Sequence, residues 1–259
     1  MTIKRVLTIS ASDSGGGSGI QADLKTFFAR QVYGVSVVTS VTAQNMIGIQ
    51  GIYELPPDLV ALQLDSVLSD IGVDAVKIGM LSNVEIITIV AQKLEEYRIE
   101  KIVLDPVMVA KGGEPLLQPD AIELLLQKLL PMALFVTPNI SEAKVIAEME
   151  ILSREDMIEA GRRICKMGAR NVLIKGAQLK GEAIDILFDG SEAHQYSAPM
   201  VVTKNTYGTG CTLASAIAAE LAKGNSIPDA VQKSKQYVTK AIQHSLEIGV
   251  GHGPLNHWG

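Results

Sequence analysis

Short runs rich in Val, Ile and Leu at residues 6–10, 35–42, 75–78, 101–104, 134–137 and 172–175 alternate with longer stretches of helical apolar spacing. The longer stretches cover residues 20–31, 57–70, 84–97, 119–130, 141–148 and 154–167, several with acidic starts and Gly or Asn stops. Alternation of this kind predicts an α/β fold with a mostly parallel central sheet covered by helices on both faces. After Lys175 the texture changes. Residues 183–188 and 194–196 read as a small antiparallel addition around the Asp189-Gly190 turn signal, and helices at 211–223 and 227–244 close the chain. No linker, repeat, low-complexity tract or long charge run divides the chain, so residues 1–259 are expected to form a single domain.

Composition narrows the function classes. A chain of 259 residues with 47% hydrophobic content can bury a large core, as a compact α/β enzyme does. The net charge of −5 is spread over mixed-sign segments, without the basic block a nucleic-acid surface needs, so no polynucleotide partner is expected. The two cysteines, Cys165 and Cys211, form neither a disulfide framework nor a metal-site spacing, and the four histidines do not cluster. This pattern suits a reducing, cytoplasmic setting. The N-terminus carries no signal-peptide core, and no apolar run approaches membrane-spanning length, so no membrane partner is expected.

Open α/β sheets bind ligands at the carboxyl ends of their strands. The first strand runs into the glycine-rich turn 11–19, whose spacing matches neither the dinucleotide fingerprint nor the Walker A loop. Later strand ends carry Gly79-Met80-Leu81, Asp105-Pro106-Val107-Met108 and Pro138-Asn139-Ile140-Ser141-Glu142. Asp105 and Glu142 can serve as helix caps or as a two-carboxylate Mg²⁺ site, because magnesium keeps most of its waters. Lys175 ends the sixth strand, where it can neutralise phosphate charge or extend into solvent.

The richest segment is Asn205-Thr206-Tyr207-Gly208-Thr209-Gly210-Cys211-Thr212, where a loop turns into a helix. Backbone N–H groups and the positive end of the helix dipole converge there, which suits an anion. Cys211 is placed as the first residue of that helix, a position that tends to lower a thiol's pKa. An anion cradle beside a proton acceptor suggests phosphoryl transfer. The alternative account is a glycine turn followed by a small buried thiol.

Together these segments resemble the ribokinase-like superfamily and, within it, the hydroxymethylpyrimidine/phosphomethylpyrimidine kinases of thiamin biosynthesis. The resemblance rests on residues 12–26, Thr42-Ala43-Gln44-Asn45, Lys77-Ile78-Gly79-Met80-Leu81, Asp105-Pro106-Val107-Met108, residues 137–143, Gly208-Thr209-Gly210-Cys211-Thr212 and Gly251-His252-Gly253-Pro254. It implies a bifunctional kinase that uses ATP and Mg²⁺ to phosphorylate 4-amino-5-hydroxymethyl-2-methylpyrimidine and then its monophosphate. The implied roles are proton acceptance by Cys211 and an anion hole at Gly208, Thr209 and Gly210. Gln44 would read the pyrimidine's polar edge, with Asp23, Ala11, Met80 and Val107 around it. Lys175 and Asn139 would hold ATP phosphates, and Asp105 and Glu142 the metal. Ala11 departs from the glycine usual in the family. Cys165 is expected to be packing, and a homodimer or other homo-oligomer is expected. Two other readings remain: a pyridoxal kinase on the same frame, and a noncatalytic small-molecule sensor.

Overall fold

The computed structural model describes residues 2–109, 116–179 and 181–258. Its centre is a nine-stranded sheet of order β3-β2-β1-β4-β5-β6-β7-β8-β9. The strands are β1 (Arg5–Asp13), β2 (Tyr33–Gln44), β3 (Ile49–Glu54), β4 (Ala75–Ile78), β5 (Ile102–Leu104), β6 (Phe135–Val136), β7 (Val172–Leu179), β8 (Glu182–Phe188) and β9 (Ala193–Pro199). From β2 to β7 neighbouring strands pair in parallel; β3 at one edge and β8 and β9 at the other pair antiparallel. Eight α-helices accompany them among the described residues: α1 (Gly19–Ala29), α2 (Pro57–Ser66), α3 (Val84–Glu96), α4 (Pro119–Lys128), α5 (Ile140–Ala147), α6 (Arg154–Lys166), α7 (Thr209–Ala222) and α8 (Ile227–Gln243).

The period-2 alternation of each strand divides the interior into two cores. Leu7, Ile9, Val76, Ile78, Ile102 and Leu104 face the core completed by α2 to α6. Val6, Ala75, Val103 and Leu173 face the other, completed by α1, α7 and α8. Thr8 and Lys77 continue the second set by two residues along their strands, and both are fully buried. Polar groups thus replace apolar ones where that core approaches the carboxyl ends of the strands.

Several strands run a few residues past their predicted ends, and three larger features differ from the sequence reading. β3 was not anticipated: it lies at an exposed edge, with Tyr53 70% exposed, so burial imposes no alternation on it. The predicted helix 57–70 ends early in a π-helical turn over Val67–Ile71. α7 opens at Thr209, not Cys211, because Gly208 caps it from the left-handed region at φ +83°.

Candidate active site

Two glycine-rich segments, far apart in sequence, press against each other at the carboxyl end of the sheet. A Cβ on Gly208 would lie 1.7 Å from the Gly17 carbonyl oxygen, and one on Gly17 would lie 2.4 Å from the Tyr207 ring. The glycines of the first loop therefore serve close packing against the 205–208 segment. Asp13 organises that loop. Its Oδ1 accepts the Gly15 N–H at 2.7 Å, and its Oδ2 accepts from Gly17 N, Ser18 N, Ser18 Oγ and the Tyr207 hydroxyl at 3.1, 2.8, 2.9 and 2.8 Å.

No side chain caps α7. The Thr209 N–H turns back to the Thr206 carbonyl at 3.4 Å, and the next N–H groups point out of the first turn without a helical acceptor. They face a cation. A Cβ on Gly210 would lie 3.5 Å from Lys175 Nζ and 3.6 Å from Asp105 Oδ2. Lys175 donates to Asp105 Oδ1 at 2.8 Å and to the Thr137 carbonyl, while Thr137 Oγ1 donates to the same Asp105 oxygen at 3.0 Å. Burial alone would lower the Lys175 ammonium, but Asp105 and Glu142 hold its pKa above the usual value. Burial likewise opposes ionisation of Asp105, yet Lys175 and Lys77 keep its carboxyl below the usual carboxylate range.

Asn139 and Glu142 form a capping box at the start of α5: Asn139 Oδ1 accepts Glu142 N–H at 2.9 Å, and Glu142 Oε2 accepts Asn139 N–H at 2.8 Å. Asn139 also bridges to Lys175 across the ends of β6 and β7. Burial pushes Glu142 up to about 7; Lys175 opposes the shift and Asp105 adds to it. The sequence alternatives of cap and functional carboxylate are thus not exclusive for Glu142.

Gln44 ends β2. Its Oε1 accepts from Thr42 Oγ1 at 2.8 Å, and its Nε2 donates to the Tyr207 hydroxyl. Ala11 is buried near the end of β1 and Met80 just after β4, and Val107 is half-buried after β5.

Asp23 requires correction as a pocket residue. It is fully buried, with Oδ2 accepting from Thr8 Oγ1 at 2.6 Å and Lys77 Nζ at 2.9 Å, and Oδ1 accepting from Ser215 Oγ at 2.6 Å. All three partners lie on or against the α1–α7 core, so this carboxylate is an anchor under the site. Lys77 was missed. Its signal was a lysine inside a strand whose four residues are all buried. Burial would lower its pKa, and Asp23 keeps it raised.

Cys211 also departs from expectation. As the third helical residue it receives a hydrogen bond from Gly19 N–H and sits near Lys77, both of which favour a thiolate. Burial outweighs them, and Asp23 and Asp105 add negative charge, so the thiol is pushed up to about 11. It is a neutral thiol at physiological pH. Cys165 is also pushed up to about 11, chiefly by burial, and lies away from the site against the Arg170 and Phe188 carbonyls.

A separate hollow of about 290 Å³ is lined by Lys25, Phe28, Met46, Pro254, His257 and Trp258. It shares only Gly15 and Gly16 with the features above, and none of the perturbed groups opens into it except His257.

A helix start without a side-chain cap, beside a Lys–Asp pair across the ends of a parallel sheet, is an arrangement that a small-molecule kinase of the ribokinase-like class would present. The profile of the phosphomethylpyrimidine kinase family matches residues 13–256, and the chain belongs to that family. It is 45% identical to the hydroxymethylpyrimidine/phosphomethylpyrimidine kinase of Bacillus subtilis, over 100% of this chain and 96% of that one. It is 52% identical, over 97% of its length, to the thiamine biosynthesis bifunctional protein ThiED of Geobacter sulfurreducens; the match spans about half of that relative, 52%. Among solved structures it resembles a Bacillus subtilis pyridoxal kinase in an ADP complex, with a TM-score of 0.93 and 40% identity over 99% of this chain and 98% of the other.

Proposed function

We propose that this protein transfers the γ-phosphoryl group of ATP to the hydroxymethyl group of 4-amino-5-hydroxymethyl-2-methylpyrimidine, and then phosphorylates the monophosphate, as a single kinase domain of thiamin biosynthesis. The observation that carries the proposal is the meeting of the α7 start with the Asp105–Lys175 pair, with Gln44 on the other side of Tyr207.

Gly208, Thr209 and Gly210 would surround the transferring group, the Thr209 N–H exchanging its long bond to the Thr206 carbonyl for a phosphoryl oxygen, and Lys175 would balance the charge. Asn139, whose Nδ2 is not engaged in the cap, reaches the same strand end and would hold a nucleotide phosphate. Asp105 and Glu142 suit Mg²⁺, since Asp105 Oδ2 lies open toward Gly210 and magnesium needs only one or two protein carboxylates. Bound there, Mg²⁺ would supply further charge neutralisation. Gln44 offers a donor beside an acceptor, the complement of an aminopyrimidine edge. Ala11, Met80 and Val107 would wall the ring.

Cys211 would stand beside the attacking oxygen and take its proton. With a pKa near 11 the thiolate is scarce at neutral pH, but it is a strong base when formed. The second transfer starts from a phosphate oxygen that is already anionic. Cys211→Ala should therefore slow the first transfer far more than the second in single-turnover assays. In the native enzyme only the first transfer should rise about tenfold per pH unit above neutrality. Equal losses in both steps would reduce Cys211 to a positioning role.

A second reading, pyridoxal kinase activity, is favoured by the 0.93 TM-score to such an enzyme. A coupled ADP-release assay with both heterocyclic alcohols separates the two. A cytoplasmic location and a homodimer or other homo-oligomer belong to the same proposal. No helix of the described residues is long and apolar enough to cross a membrane. Ile52 and Tyr53 on the exposed edge strand offer a contact face, which light scattering would test.

A further inference from the structure

Tyr207 joins the glycine loop to Gln44. Its hydroxyl has one proton, and the Asp13 carboxylate 2.8 Å away is the strongest acceptor within reach. Once that proton is committed, the phenol oxygen can only accept, and the Gln44 amide group that touches it must be the N–H end. Thr42 Oγ1 donates to the opposite end, Gln44 Oε1, at 2.8 Å. A flipped amide would set oxygen against oxygen at Tyr207, and Thr42 Oγ1 would give up its 2.8 Å bond to Gln44 Oε1 and keep only the Ser12 carbonyl at 3.1 Å as acceptor.

We propose that Tyr207, held by Asp13, is a specificity-determining positioning residue that fixes the Gln44 carboxamide in one orientation for an aminopyrimidine edge. In this orientation one Nε2 hydrogen and one Oε1 lone pair remain unused. A ring nitrogen beside an exocyclic amine presents an acceptor next to a donor, which is the pattern those two atoms complete. A pyridine with a phenolic oxygen in place of the amine does not. The inference rests on the proposed function, since it assumes that the heterocycle lies against Gln44.

The phenol also sits one residue before Gly208, the cap of α7, and its backbone is tied down by a hydrogen bond from Tyr207 N–H to the Gly253 carbonyl at 3.1 Å. The ring is clamped by Gly17, which has no room for a Cβ against it. Tyr207→Phe therefore keeps the ring and the backbone in place and removes only the hydroxyl. Asp13 Oδ2 retains the Gly17 and Ser18 donors, so its buried carboxylate stays satisfied.

The test compares native enzyme, Tyr207→Phe, Gln44→Ala and the double variant, with the aminopyrimidine alcohol, pyridoxal and ATP as varied substrates. The hydrogen bond being tested corresponds to a change of about tenfold. Tyr207→Phe should raise KM for the aminopyrimidine by about that factor, leave KM for ATP and for pyridoxal within about twofold, and lower the pyrimidine-over-pyridoxal preference accordingly. In the Gln44→Ala background the same substitution should add less than about twofold, because Tyr207 acts through Gln44. Thr42→Val, which removes the opposite anchor, should shift selectivity in the same direction and stands in if Tyr207→Phe folds poorly. Equal losses for all three substrates, or additive effects in the double variant, would overturn the inference. A native enzyme inert toward the pyrimidine would instead overturn the functional reading on which it rests.

Discussion

The two sides of the α7 start are built from different materials. Toward Gln44 the site is a set of directional hydrogen bonds gathered on one carboxylate: Asp13 holds the glycine loop and Tyr207, and Tyr207 holds Gln44. Toward Lys175 the site is a charge arrangement in which burial and neighbouring ions displace the titration of Lys175, Asp105 and Glu142. The first arrangement is suited to telling one neutral heterocycle from another, because hydrogen bonds have direction. The second suits a polyanion whose charge moves during reaction, because Coulomb forces act over several ångströms. Cys211 lies where they meet, touched by the glycine loop through Gly19 and surrounded by Lys77, Asp23 and Asp105.

If that division is right, damage to the charged side should be the larger. Lys175→Ala should lower kcat/KM for ATP by roughly 10²–10³-fold, the scale of a lost transition-state donor. Thermal unfolding should also show lower stability, since Asp105 loses its counter-ion. A selective effect on the pyrimidine, with ATP untouched, would erase the contrast between the two sides.

Titration sharpens the same contrast. Glu142 is protonated below about 7 in the free protein, so metal–nucleotide binding through its carboxylate should strengthen as pH rises through that value. Below it, kcat/KM for ATP should fall about tenfold per pH unit, and Glu142→Gln should remove that limb of the profile. Pyrimidine binding, measured without nucleotide, should be flat over the same range.

The smallest effect is expected on the hydrogen-bonded side. Ser18→Ala removes one of several donors to Asp13 Oδ2 and a 3.0 Å contact with the Tyr207 hydroxyl; it should cost about 0.5–1.5 kcal/mol in urea unfolding, with a smaller change in KM for the pyrimidine than Tyr207→Phe gives. A large kinetic effect would mean that the glycine loop is held less redundantly than its bonds indicate.

The parts of the site legible in the sequence were those carried by contiguous segments. Strand periodicity located the ends where Asp105, Asn139, Glu142 and Lys175 lie, and glycine spacing located the helix start at 208–210. Asp23 was misread because its partners Thr8, Lys77 and Ser215 come from three other elements, and only their meeting makes it a core anchor. The direction of the Cys211 shift failed for the same reason. A helix start argues for a lowered thiol pKa, but burial and two carboxylates brought in by other strands and helices decide it. Tyr207 stood in plain view before Gly208, yet nothing local revealed that its hydroxyl is placed between Asp13 and Gln44.

The return of α7 to the middle of the sheet, against β1, β4 and β5, also bears on how the chain reaches its native state. Asp13 and Tyr207 are separated by 194 positions, and Asp23 and Ser215 by 192. A chain emerging from the ribosome can lay down the parallel strands in order, but the face presenting Val6, Ala75, Val103 and Leu173 is only partly covered, by α1, until residues beyond 208 are made. Closing contacts of such long range is slow, and the uncovered apolar face is the surface most open to misassembly meanwhile. The α7 start is among the last features to form, so on the proposed function a truncated or half-folded chain would have no competent site with which to consume nucleotide.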